Sequence, residues 1–222
     1  MLVISYGGSI LAPEEIDTGF ISRVADLLRG AEGSVYVVVG GGEIAREYIE
    51  KGRELGANES LLDEIGILAT RMNAYLLLSA LGNEVYPRVA ESIDEAITAK
   101  QRIVVMGGTV PGHTTDAVAA LLAERLGSKR LLLATSVDGV YTSDPKRDAM
   151  AKKIRKLSAG ELVGIVAKNS AVAGAKSVMD LLGARVIERS SMECWIFDGR
   201  NTEDLKNALR GNEKDFSGSI IE

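Results

Sequence analysis

The sequence predicts an α/β protein built on a mostly parallel central sheet, and three observations predict it. Short apolar runs rich in β-branched residues, such as Val35 to Val39, alternate with stretches whose apolar residues recur at helical spacing. Strands separated by helical patterns imply right-handed crossovers and parallel neighbours. Four apolar runs also stop at turns rich in glycine or threonine. Leu2-Val3-Ile4 precedes Gly7-Gly8-Ser9, and Val35 to Val39 precedes Gly40-Gly41-Gly42. Ile103 to Met106 precedes Gly107-Gly108-Thr109, and Leu131 to Ala134 precedes Thr135-Ser136. Ligands of open α/β sheets sit beyond the carboxyl ends of the strands, and glycine lets backbone N–H groups approach them. Four such loops on one edge predict a substrate larger than a single phosphate group.

Each element follows from local pattern. Phe20, Ile21, Val24, Leu27 and Leu28 keep helical spacing, with Gly30 as the C-terminal cap. Ile44, Ala45, Tyr48 and Ile49 form a second helix that begins at the triple glycine. Asn58 caps a long third helix whose apolar stripe is Leu61, Leu62, Ile65, Leu68, Met72 and Leu76, ended by Gly82. A short strand is expected around Val85 to Val89, a helix near Ile93 to Ala99, and another from Ala117 to Leu126. The second half predicts a short strand at Ile154 to Leu157, Ser158 capping the next helix, and a helix from Ser177 to Glu188. A strand at Cys194 to Phe197, a helix at Glu203 to Leu209 and a last edge strand at Phe216 to Ile221 complete the pattern. The Asp144-Pro145 turn and the charged stretch through Lys156 mark a lobe boundary within one domain.

Composition narrows the classes of function. A chain of 222 residues suffices for one sizeable core or two small lobes. The net charge of −5 argues against a nucleic-acid surface but leaves room for a small anionic substrate. Cys194 is the only cysteine, so no disulfide framework or cysteine metal cluster is expected, and it reads as a small buried residue at a strand start. Met1 leads directly into a strand, and no apolar stretch is expected to reach the length of a membrane span. Those readings point to the cytoplasm and to no membrane partner.

The usual nucleotide fingerprints are missing: there is no G-x-x-x-x-G-K-[ST] loop, no G-x-G-x-x-G after the first strand, and no protein-kinase motif. Instead Gly7-Gly8-Ser9, Gly40-Gly41-Gly42 with Arg46, Gly112-His113-Thr114-Thr115-Asp116, and Thr135 through Pro145 occur in that order. Together these residues resemble the amino-acid kinase superfamily, and within it the short archaeal-type branch of the uridylate kinase family. The V-D-G-V-Y-x-x-D-P element carries the superfamily likeness. The G-H-T-T-D turn and its spacing to Thr135 favour the branch.

The resemblance implies a three-layer α/β/α sandwich forming a single domain over residues 1–222. An acceptor-binding part would span about 1–130 and an ATP-binding part about 131–222. It further implies ATP as donor, Mg²⁺ carried with it, UMP as acceptor, and a homohexamer built as a trimer of dimers. Gly8, Ser9, Gly42 and Arg46 would contact the ATP phosphates, and Thr135, Ser136, Tyr141 and Asp144 the adenosine end. Gly41, Asp63 and the turn Thr109, Val110, Pro111, Gly112, His113, Thr114 and Thr115 would hold UMP.

The chemistry of these residues supports the roles beside plainer ones. The glycines and Ser9 offer N–H groups at helix N-termini, or simply allow tight packing. Arg46 lies one turn after Gly42, where a delocalised cation suits a transferring phosphoryl group; the alternative is a solvated pair with Glu50. Asp63 shares a face with Gly66, Thr70 and Ala74 and can accept from two ribose hydroxyls, or serve the helix's first turn. Asp144 has the turn-opening role as its alternative. His113 reads as part of the substrate loop, because an ionised phosphate oxygen needs no general base. Asp116 either caps the helix after it or orients Mg²⁺ or its waters, with Asp180 a second candidate for that work.

Most of the superfamily has a lysine two residues before the first paired glycine, and here that position is Ser5. Arg46 and Lys176 are the candidate substitutes, which makes Arg46, Asp116 and Lys176 the catalytic candidates. Competing readings are an isopentenyl phosphate, acetylglutamate or carbamate kinase, or a non-catalytic storage protein on the same fold. A nicotinamide oxidoreductase is a third, against which the missing G-x-G-x-x-G counts.

Overall fold

A computed structural model describes the chain apart from Asp144, Lys146, Arg147, Ala149 and residues 171–177, with backbone alone at Asn169 and Ser170. The strands are β1 (Leu2–Tyr6), β2 (Val35–Val39), β3 (Ile103–Met106), β4 (Arg130–Thr135), β5 (Val140–Tyr141), β6 (Lys153–Ile154), β7 (Lys156–Leu157), β8 (Glu193–Asp198) and β9 (Ser219–Ile221). The α-helices are α1 (Gly8–Leu11), α2 (Thr18–Arg29), α3 (Gly42–Glu54), α4 (Glu59–Leu81), α5 (Ile93–Thr98), α6 (Thr115–Leu126), α7 (Ala159–Ser170), α8 (Leu181–Ser190) and α9 (Thr202–Arg210).

Because β2 is buried at every position, it must be covered on both faces. The main sheet runs β3-β2-β1-β4-β8-β9-β7 and is parallel except where β9 meets β8. Alternating side chains send Val3, Val38, Val104, Met106, Leu133 and Ile196 toward α6, α7 and α8. Ile4, Tyr6, Val37, Leu132, Trp195 and Phe197 go to the opposite face, under α2, α4 and α9. The result is the three-layer α/β/α sandwich. Trp195 is 2% exposed, with Phe216 4.7 Å away and the Arg130 guanidinium 4.4 Å from its ring. Cys194 is buried as expected, and burial pushes its thiol up, with a smaller push from Asp116.

Several expectations need correction. The expected strand at Val85 to Val89 is a 3₁₀ turn at Gly82–Glu84 followed by isolated bridges, Val85 to Ile103 and Ala90 to Met106. The expected strand at Ile154 to Leu157 divides, with Lys153–Ile154 pairing Val140–Tyr141 in a separate ribbon and Lys156–Leu157 joining the main sheet. The terminal strand is shorter than expected and is not the edge, since β7 lies outside it. Helix α8 begins at Leu181, with Asp180 as its cap, not at Ser177, which lies outside the described residues. Gly30 ends α2 in an ordinary right-handed conformation. Asn58 and Ser158 cap as expected, Ser158 through a reciprocal pair with Glu161.

The long helix α4 carries the largest correction. Of the expected stripe, Leu62 is buried, Ile65 and Leu76 are half-buried, and Leu61, Leu68 and Met72 are exposed. The face against the sheet uses Ile67, Thr70, Asn73, Ala74, Leu77 and Leu81 instead. Small and polar residues let the helix come close to the loops beneath it, and the bulkier residues point away. The run Glu59–Glu84 is also long and apolar enough, by length and composition, to cross a membrane, contrary to expectation. In this fold that helix packs on β2, β3, α2 and α3.

Candidate functional site

Parallel register puts the carboxyl ends of β1, β2, β3, β4 and β8 on one edge, and their turns are tied together there. Gly40 N–H donates to Tyr6 O at 2.9 Å, Gly7 N–H to Ala134 O at 2.8 Å, and Gly199 N–H to Thr135 O at 2.8 Å. The buried Tyr6 hydroxyl donates to Gly199 O at 2.6 Å. Gly8 has a strict reason to be glycine. A Cβ there would lie 2.2 Å from Gly40 O and 2.3 Å from Gly42 N. The loops after β1 and β2 therefore meet backbone to backbone, and Gly42 completes the contact at φ +65, in the left-handed region. Ser9 follows in the four-residue α1.

Beside this contact opens a cleft of about 400 Å³. Gly41, Gly42 and Arg46 form one wall, Asp63, Gly66 and Thr70 another, and Gly108, Val110, Gly112, His113, Thr114 and Thr115 the third. Thr109 and Pro111 belong to the same turn without lining the cleft. Asp63 is the fifth residue of α4, so it does not serve the first turn; its Oδ2 accepts from Gly112 N–H at 2.8 Å. Arg46 pairs with Glu43, one turn before it, and not with Glu50. Its side chain is 59% exposed, so that pair holds it weakly.

Two residues of this site went unassigned in the sequence reading. Asn73, buried in α4, donates from Nδ2 to Gly40 O at 3.0 Å and Gly41 O at 2.9 Å. Thr70 Oγ1 accepts from Gly108 N–H at 2.7 Å and donates to Ile67 O at 2.6 Å. One helix thus braces the turns after β2 and β3. Polar residues inside an apolar helical stretch were the available signal.

The other group of expected residues lies around the end of β4. Thr135 ends that strand, Ser136 follows, and Tyr141 sits in β5. The Tyr141 hydroxyl donates to Asp138 Oδ1 at 3.0 Å and Lys153 Nζ to Asp138 Oδ2 at 3.0 Å. Burial opposes ionisation of Asp138, yet Lys153 and Tyr141 together hold its carboxyl below the usual range. Arg200, after β8, grips both oxygens of Asp198 at 2.8 Å and donates to Ser136 O at 3.2 Å. Asp144 and Lys176 lie outside the described residues.

Two further carboxylates stand at helix N-termini. Asp116 does not cap α6: Thr114 does, its Oγ1 accepting from Ala117 N–H at 3.1 Å. A hydroxyl at that position leaves Asp116 in the first turn, facing β1, where Ser5 Oγ donates to Asp116 Oδ1 at 2.6 Å. Thr114 also donates to Asp180, whose other oxygen accepts from Gly183 N–H at 2.9 Å and caps α8. The two helix N-termini therefore share one hydrogen-bonded chain. Burial pushes the Asp116 carboxyl up to about 6, against the pull of Ser5 and with a further push from Asp180.

That shift has a testable consequence. A carboxyl raised in the folded state adds no penalty below its unfolded value near 3.8, and stability is lost as pH rises through about 6. Asp116→Asn is therefore expected to gain on the order of 2 kcal/mol over the native protein between pH 4 and pH 7. Thermal melts at both pH values check this. A stability difference that does not change with pH would show that Asp116 ionises normally.

Among the described residues no group of three or more His, Cys, Asp or Glu side chains could cage a metal. Asp116 and Asp180 instead fit an ion such as Mg²⁺, which keeps several waters and is held by one or two carboxylates together with substrate phosphates.

Comparison with known proteins gives a consistent picture. The sequence profile of the amino acid kinase family matches residues 1–198. The uridylate kinase of Methanothrix thermoacetophila is 51% identical, covering 95% of this chain and 96% of its own. That of Pyrococcus abyssi is 46% identical, covering 100% and 99%. The crystal structure of uridylate kinase from Archaeoglobus fulgidus superposes with a TM-score of 0.89 at 43% identity, covering 100% of this chain and 99% of its own.

Proposed function

Because the chain belongs to the amino acid kinase family, we propose that it transfers a phosphoryl group from ATP to UMP, giving UDP and ADP, within pyrimidine nucleotide biosynthesis. The observation that carries this reading is the cleft at the strand ends, with Asp63 on one wall and Arg46 on another. Asp63 and the Thr109–Thr115 turn would take the ribose and uracil, and Gly41 the UMP phosphate. Gly8, Ser9 and Gly42 would offer N–H groups to the ATP phosphates, while Thr135, Ser136, Tyr141 and Asp144 take the adenosine. On this reading the acceptor part is about 1–130 and the ATP part about 131–222, meeting where β1 pairs with β4.

Transfer would be in line and direct, with positioning and charge neutralisation supplying most of the rate. Arg46 exchanges Glu43 for phosphoryl oxygens. Asp116 and Asp180 would be the residues to hold a Mg²⁺, and that ion would supply charge neutralisation for the phosphates. Both substrates are charged nucleotides, in keeping with a cytoplasmic setting. The outward face of α4 offers Leu61, Leu68, Met72 and Tyr75, with Tyr48 of α3 also exposed. Apolar side chains exposed on one helix support self-association, and the assembly we propose is a homohexamer built as a trimer of dimers.

Purified protein with Mg·ATP is expected to phosphorylate UMP well above CMP or AMP, read by coupled ADP release. Equal rates on the three would remove the uridylate assignment. Transfer to isopentenyl phosphate, acetylglutamate or carbamate in place of UMP would select another member of the family.

A further inference from the structure

We propose that Ser5 is a positioning residue for the transfer step, acting through Asp116. The inference rests on the UMP kinase reading of this site. Ser5 occupies the β1 position that faces α6, in register with Val38 of β2 and Leu133 of β4. Its strand neighbours on that face, Val3, Val38 and Leu133, are all buried and apolar. Packing alone would place an aliphatic side chain at position 5, since a buried hydroxyl is costly unless it is satisfied. Ser5 is 2% exposed, and its hydroxyl donates to Asp116 Oδ1 at 2.6 Å.

Among the described residues, that bond is the one hydrogen bond holding the Asp116 side chain. The charge that acts on it from a neighbouring element is another carboxylate, Asp180. A short bond from the rigid central strand fixes the carboxylate by one oxygen and leaves the other to accept from waters around the reacting phosphates. The hydroxyl stands two residues before Gly7, whose N–H is anchored on Ala134 O at 2.8 Å. The strand that sets the donor loop thereby also aims an acid from the acceptor side.

The test is a double-mutant cycle read in kcat and KM on the full-length protein with UMP and Mg·ATP. Ser5→Ala is expected to lower kcat about tenfold or more, the scale of a hydrogen bond to a charged group, with both KM values nearly unchanged. In an Asp116→Ala background the same change is expected to have little further effect, because Ser5 acts through that carboxylate. Melting temperatures of the ligand-free variants provide a readout independent of turnover, and the cycle should be non-additive there too. Native turnover with full kcat in Ser5→Ala, or with effects that multiply across the cycle, overturns the positioning role alone. Absence of UMP turnover in the native protein overturns the UMP kinase reading and the inference with it.

Discussion

Replacing Arg46 with alanine is expected to lower kcat roughly a hundredfold or more, the scale of losing a donor aimed at transition-state charge. Negative charge spreads over the phosphoryl oxygens during transfer, and a planar guanidinium meets two of them at once. On the proposed reading α3 serves this role: it starts at Gly42, so the Arg46 side chain rises one turn later on the cleft wall. Its exposed pair with Glu43 is easily exchanged for a phosphate. Arg46→Lys keeps the charge and loses the fork, so it should recover only part of the rate. A kcat within about threefold of the native value in Arg46→Ala, less than a single transition-state donor supplies, would reduce Arg46 to a surface partner of Glu43.

The second large effect is expected from a single methyl group. Gly8→Ala puts a Cβ 2.2 Å from Gly40 O and 2.3 Å from Gly42 N, and both obstacles are backbone. The loops after β1 and β2 must separate, at a cost on the order of 2–3 kcal/mol. A shift near 1 Å between groups that must align costs about a hundredfold in rate. Gly164→Ala is the control. It makes the same chemical change in α7, where the added Cβ would meet nothing within 4 Å beyond its own helix turn, and is expected to be neutral or stabilising by up to about 1 kcal/mol. Equal melting temperatures and rates for the two variants would mean that the loops have slack at Gly8.

The strand ends, the glycine turns and the turn at residues 109–115 were legible because each rests on local pattern: an apolar run, a break, a helix. The cleft brings Gly41, Asp63 and most of residues 109–115 together, as the sequence suggested. What escaped is what depends on depth. The spacing of Leu61, Leu68 and Met72 identified a helix but not which side of α4 faced the sheet, because both sides carry apolar residues. Asn73 and Thr70 brace loops that are distant in sequence, which spacing does not encode. Of the two roles the sequence leaves open for Asp116, capping falls to Thr114, two positions earlier, which frees the carboxylate from the helix end. The pairing of Ser5 with Asp116 spans 111 positions and has no local sign.

The chain has one tryptophan, and its placement under the Phe216 ring makes the molecule optically simple. Emission from Trp195 arises from a single site buried beneath α9 on the face of the sheet opposite α6, and none of the cleft-lining residues is a tryptophan. Its spectrum is therefore expected to follow loss of the native packing, shifting red as the indole meets water, and to stay nearly silent when nucleotides bind. One intrinsic fluorophore can thus follow the unfolding of every variant described above, to be compared with circular dichroism as a check on two-state behaviour.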